Sequence, residues 1–171
     1  MIDDKLKKFL KDGWLDLGYS LNVNKCKLLA DKVLKSRPWD ESIFRSYKDI
    51  NENPRHANVV PTKNGYNLAE KYDLDFIENN TNLKKILNQI LGKNYEIILK
   101  KFVVSAPKQI IPEWLEPIID KKLDGNLAQY IKPEFRDISY FSGIDYHMDL
   151  LDYANFNGDY LTVYIYLTDR S

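Results

Sequence analysis

The chain contains only two histidines, His56 and His147, so any chemistry that needs an imidazole must use one or both. His147 stands in the run FSGIDYHMDLLDY, two residues ahead of Asp149. On a β-strand, residues i and i+2 leave the same face, roughly 7 Å apart along the backbone, and both side chains can reach one divalent metal at about 2.1 Å. A helix would splay the same pair apart. Ile144, Tyr146 and Met148 then take the opposite face, as packing of a sheet requires. With two histidines and 17 aspartates in 171 residues, a His-x-Asp triplet arises by chance about 0.2 times. Taken alone it favours a surface or hydrogen-bonded histidine, so its surroundings must carry the argument.

Those surroundings include the later run YLTVYIYLTD, in which Leu161, Val163, Ile165 and Leu167 alternate with Tyr160, Thr162, Tyr164 and Tyr166. The period of two predicts a strand with one aliphatic face and one aromatic, hydroxyl-bearing face. Two readings of the second face stay open: tyrosines turned to solvent, or hydroxyls lining a cleft beside the His147–Asp149 pair.

These segments need elements to position them. Ile2, Leu6, Phe9 and Leu10 predict a helix from about Asp3 to Lys11, ended by Gly13. A second follows Ser20 or Asn22 as N-cap, with Val23, Cys26, Ala30, Val33 and Leu34 at helical spacing until Arg37-Pro38, so Cys26 points inward. The third carries the stripe Leu83, Ile86, Leu87, Ile90 and Leu91, with Asn80 or Thr81 in front and Gly92 behind. Residues 36–80, rich in Pro, Asn and Asp, suit short helices and loops and read as covering structure. After Gly92 the pattern changes. Tyr95 to Val104 predicts a strand stopped at Pro107, a short helix follows around Glu113 to Asp120, and Ile138 to Asp149 and Tyr160 to Leu167 predict two more strands. The whole reads as one α+β domain over 1–171, mainly helical over 1–92 and sheet-forming over 93–171.

Composition narrows the function. At 44% hydrophobic and 29% charged, the 171 residues have the apolar content for one core. Twenty-five basic residues against 25 acidic ones give no net field toward nucleic acid or anionic lipid. No run approaches the roughly 20 apolar residues of a membrane span. The N-terminal MIDDKLKKFLKDGW lacks the continuous apolar stretch of a secretory leader. The single cysteine cannot form an internal disulfide, so a cytoplasmic location is the expectation.

FLKDGW near the N-terminus, the helical middle, YEIILKKFVVSAP, GIDYHMD and YLTVYIYLTD, in this order, resemble the phytanoyl-CoA dioxygenase family of non-haem iron, 2-oxoglutarate-dependent oxygenases. The specific part is the pairing of the His-x-Asp strand with the later Leu-Thr-Val-aromatic-Ile-x-Leu strand. The resemblance implies N-terminal helices packed on a double-stranded β-helix, or jelly-roll, with His147 and Asp149 as two of three iron ligands. A 2-His-1-carboxylate set leaves three positions, two for the keto acid and one for dioxygen, and the product is a hydroxylated small molecule. By the same resemblance Tyr164 stands beside 2-oxoglutarate, Thr162 shares its face, and Lys100 or Lys101 faces the cleft.

The family takes its second histidine, and the arginine that pairs with the far carboxylate of 2-oxoglutarate, from strands beyond the position of Ser171. The expectation is therefore an N-terminal portion with an incomplete jelly-roll, weak Fe(II) binding and little turnover. His56 lies far upstream in a Pro/Asn-rich loop, and Arg170 follows the last strand directly, so neither is well placed to substitute. Uncovered strand edges predict a symmetric homodimer through β-edges. The alternative is a non-catalytic jelly-roll-like module whose tyrosine-rich face holds a partner or small ligand. A metal-dependent hydrolase built on the same pair has no further ligand cluster to recommend it.

Overall fold

Helix ends form where side chains take the first unbonded N–H groups or where glycine relieves the last turn. In the computed structural model, which describes residues 4–18, 21–54, 67–119, 125–142 and 161–168, these signals are used as the sequence predicts. The helices are α1 (Asp4–Asp12), α2 (Val23–Lys35), α3 (Tyr47–Glu52), α4 (Asp75–Glu78), α5 (Thr81–Leu91) and α6 (Glu116–Ile119). The Asn22 side chain accepts from Lys25 N–H at 3.0 Å and opens α2. Asn80 accepts from Leu83 N–H at 2.9 Å and opens α5, which Gly92 ends at φ 84°, ψ 178°.

The described residues fall into two units by their internal contacts. Those of Met1–Val33, Asp73–Ile98 and Gly158–Ser171 form one; those of Leu34–Tyr72 and Leu99–Asn157 form the other. In the first, α1 and α4 both contact α5. Cys26, Leu29, Ala30 and Val33 recur at helical spacing along α2 and are buried, as are Leu74 and Leu83. Phe9 on α1 is half-buried, whereas Leu10 is 68% exposed.

The second unit is built from short elements. Strands β1 (Val103–Ser105) and β2 (Ser139–Phe141) pair in parallel, Val103 with Ser139, Val104 with Tyr140 and Ser105 with Phe141. The far side of β2 is covered by residues 125–127. Leu127 N–H donates to Tyr140 O at 2.9 Å, and Ser142 N–H to Gly125 O at 2.7 Å. A second bridge joins Phe44 to Ile131, with Arg45 N–H donating to Tyr130 O and Lys132 N–H to Ile43 O. These turns carry the core: Ile43, Leu115, Leu127, Ile131 and Tyr140 have no exposed surface.

The structure is thus mixed helix and strand, with the helices mostly first, and several expectations change in detail. Of the strand predicted over Tyr95 to Val104, only the end pairs; residues 95–102 form neither helix nor strand. The predicted Ile138 to Asp149 strand is seen as β2, and its residues from 143 onward lie outside the described part. Residues 161–168 form no strand; Leu161, Ile165 and Leu167 are less exposed than Thr162, Tyr164 and Tyr166, but Val163 of the same predicted aliphatic face is 42% exposed, so the alternation holds only in part. Strand propensity alone does not make a strand: a neighbouring segment must take the N–H and C=O groups. A parallel pair is not the antiparallel pairing of a jelly-roll, and no jelly-roll is seen among the described residues. The stretch read as covering structure instead contributes Ile43, Phe44, Leu68 and Ala69 to the core. No helix among the described residues is long and apolar enough to cross a membrane.

Candidate functional site

His147 and Asp149 lie outside the described residues, as do His56 and Arg170. What the structure places is the chain that leads to the pair. β2 ends at Phe141, its register is fixed on β1 on one side and by residues 125–127 on the other, and Ser142 is tied to Gly125.

Lys100 reaches the same sheet through its backbone. Asn67, 1% exposed, donates from its amide to Lys100 O and accepts from Ala69 N–H at 3.0 Å. Two residues later Phe102 O accepts from Ser139 N–H at 3.0 Å. The Lys100 side chain is exposed, and Lys101 is half-buried. Thr162 and Tyr164 belong to the helical unit, where both are exposed, Tyr164 to 63%. The structure therefore brings Lys100 to the start of the β1–β2 pair.

Sequence reasoning missed a polar cluster that fixes β2. The Arg37 side chain is 3% exposed. One terminal nitrogen lies 2.9 Å from Asp137 Oδ1, and the other donates to the Tyr140 hydroxyl at 2.7 Å and to Phe135 O at 3.2 Å. The Arg37–Asp137 contact is an ion pair without the alignment of a hydrogen bond. Lys71 Nζ stands 3.7 Å from the other carboxylate oxygen. Trp39 leans on the Tyr140 ring, centroids 6.2 Å apart, and its indole N–H donates to Leu34 O. Burial pushes the Tyr140 phenol above its usual pKa, against the opposing pull of the Arg37 charge.

Arg45, 3% exposed, makes a second such node. It pairs with Asp49 and donates to Gln129 O, Asp49 O and Asn53 O, closing the C-terminal end of α3. A signal for these nodes exists in the composition. The chain has 20 Lys and 5 Arg, so arginine stands where a planar fork with several donors is needed rather than a bare charge. Arg37, Arg45 and Arg136 all have such buried roles, the last donating to Ile131 O at 2.8 Å.

The Arg37 cluster contains no nucleophile and acts as a clamp on the strand that precedes the His-x-Asp segment. Among the described residues no three His, Cys, Asp or Glu side chains gather as a metal site. The chain matches no family model, no curated protein and no solved structure.

Proposed function

We propose that the chain supplies the first part of a cytoplasmic non-haem Fe(II)- and 2-oxoglutarate-dependent oxygenase that hydroxylates a small molecule. In this reading an incomplete jelly-roll is the scaffold. The observation that carries it is the His147-x-Asp149 spacing followed by YLTVYIYLTD. β2, which ends six positions before His147, supports it as the described part of the segment that carries the pair. A neutral imidazole and a carboxylate also form a donor set that suits Fe(II).

The metal supplies a Lewis-acidic centre at which keto acid and dioxygen meet. The chain's own residues hold and orient. His147 ligates through a neutral ring nitrogen, so a proton on the ring competes with the metal. Asp149 contributes the anionic oxygen. Lys100 offers a cation to a carboxylate of 2-oxoglutarate, and the Thr162 and Tyr164 hydroxyls offer donors on the cofactor side.

Anaerobic Fe(II) titration of the wild-type chain against His147→Ala and Asp149→Asn tests this. Affinity should fall at least tenfold in either variant, and metal uptake indifferent to both overturns it. The exposure of Tyr164 and Tyr166, 63% and 61%, favours a second reading, a non-catalytic binding module. Intact folding with no metal uptake at all is its signature. A homodimer through β-edges accompanies the first reading, with Val103 on β1 48% exposed. Light scattering that finds a monomer at high concentration contradicts that association.

A further inference from the structure

In the helical unit, a solvent-open depression of about 370 Å³ lies between the end of α4, one side of α5 and the segment after Gly92. Its size is at the low end of the roughly 300–1,000 Å³ typical of small-molecule sites. We infer that it binds a small aromatic monocarboxylate, a role independent of the metal pair.

The lining states the chemistry. Lys84 and Asn88, one helical turn apart, share a face of α5. Lys93, Tyr95 and Ile97 alternate along the next segment and line the other side, while Glu78 and Asn79 close the end. The Asn79 carboxamide oxygen accepts from Lys84 Nζ at 2.6 Å, which holds that ammonium at the rim with further N–H donors on the same nitrogen. The two lysines and Glu78 sum to one positive charge, matched by one carboxylate. A dianion such as phosphate would meet the Glu78 carboxylate with a second, uncompensated charge. Tyr95, half-buried, and Ile97, 47% exposed, provide an aromatic and an aliphatic wall for an apolar body. The ligand's carboxylate therefore sits between Lys84 and Lys93, bonded also by Asn88, with its ring against Tyr95.

An open site with screened charges binds weakly, with a Kd on the order of 1 mM at low salt. The test is titration of the full chain with 4-hydroxybenzoate, followed by amide NMR shifts of the Asn79 and Asn88 side chains. Saturable shifts are expected. Lys84→Gln with Lys93→Gln should weaken binding about tenfold, since one exposed ion pair is worth about two- to fivefold. Glu78→Gln should tighten it about twofold, and 4-hydroxybenzamide and inorganic phosphate should bind at least about tenfold more weakly. Lys84 and Lys93 are exposed and Glu78 is half-buried, so amide spectra unchanged away from the depression serve as the check that each variant keeps the fold. Absence of saturable shifts up to about 10 mM overturns the inference. So does equal binding of the neutral amide, or binding unaffected by the lysine pair.

Discussion

Replacing Arg37 by methionine keeps an unbranched stem in the packed space and removes the guanidinium. The contacts to the Tyr140 hydroxyl at 2.7 Å, to Phe135 O and Ser36 Oγ at 3.2 Å and to Asp137 at 2.9 Å all go, and the Asp137 side chain, 13% exposed, is left charged. Breaking a buried pair from one side costs about 3–5 kcal/mol. Lys71, 3.7 Å from the other carboxylate oxygen, still offsets part of the lost attraction, so the expected loss is at the lower end, about 3 kcal/mol. Urea unfolding followed by tryptophan fluorescence reads this, because Trp39 packs on Tyr140. With a slope of about 1–3 kcal/mol per molar urea, the midpoint should fall by about 1–3 M. Adding Asp137→Asn should return about 1–2 kcal/mol by removing the stranded charge. A loss under about 1 kcal/mol, or no recovery in the double variant, refutes the clamp.

Tyr140 gives the same cluster an alkaline signature. Burial raises its pKa, so the folded state keeps the phenol protonated where the unfolded chain, near the ordinary 10.0, has lost the proton. Stability from this residue is complete below about pH 10 and falls as pH rises above it; unfolding from pH 9 to 11 should show that slope, reduced in Tyr140→Phe. Gly92 holds φ 84° and ψ 178°, a region open almost only to glycine, with open space where a Cβ would point. Gly92→Ala should therefore cost about 1–3 kcal/mol from backbone strain alone, read by chemical denaturation. Cys26 is 8% exposed and its thiol is raised by burial. A disulfide reagent at pH 8 should label it slowly in the native chain and rapidly in denaturing urea, and equal rates would contradict its inward placement.

The sequence was most legible where structure is local. Asn22 and Asn80 cap helices three residues on, Gly92 closes α5, and the middle of the α2 stripe, Cys26, Ala30 and Val33, is buried as its spacing predicts, while Val23 and Leu34 at its two ends are exposed. The second unit was less legible because distant segments build it. Ile43 and Ile131 are buried through a bridge between residues 44 and 131, and no periodicity marks a turn that becomes core by meeting another turn. Residues 95–102 show the converse, strand-like composition in which regular strand pairing begins only at Val103. For the site, type and spacing nominated His147, Asp149 and Lys100, but not the clamp. Arg37 meets Phe135 and Tyr140 across 98 and 103 residues, a separation no local pattern encodes. The scarcity of arginine beside lysine was the one compositional hint.

The two histidines allow a direct check on the metal pair. Their imidazole C–H signals are resolved by proton NMR, and Mn(II), a paramagnetic stand-in for Fe(II), broadens any ring it ligates. Added in substoichiometric amounts without oxygen, it should broaden the His147 signals first and leave those of His56 sharp, with assignments fixed by His147→Ala and His56→Ala. Asp149→Asn should abolish the selectivity. Equal broadening of both rings, or of neither, would contradict a metal site built on His147 and Asp149.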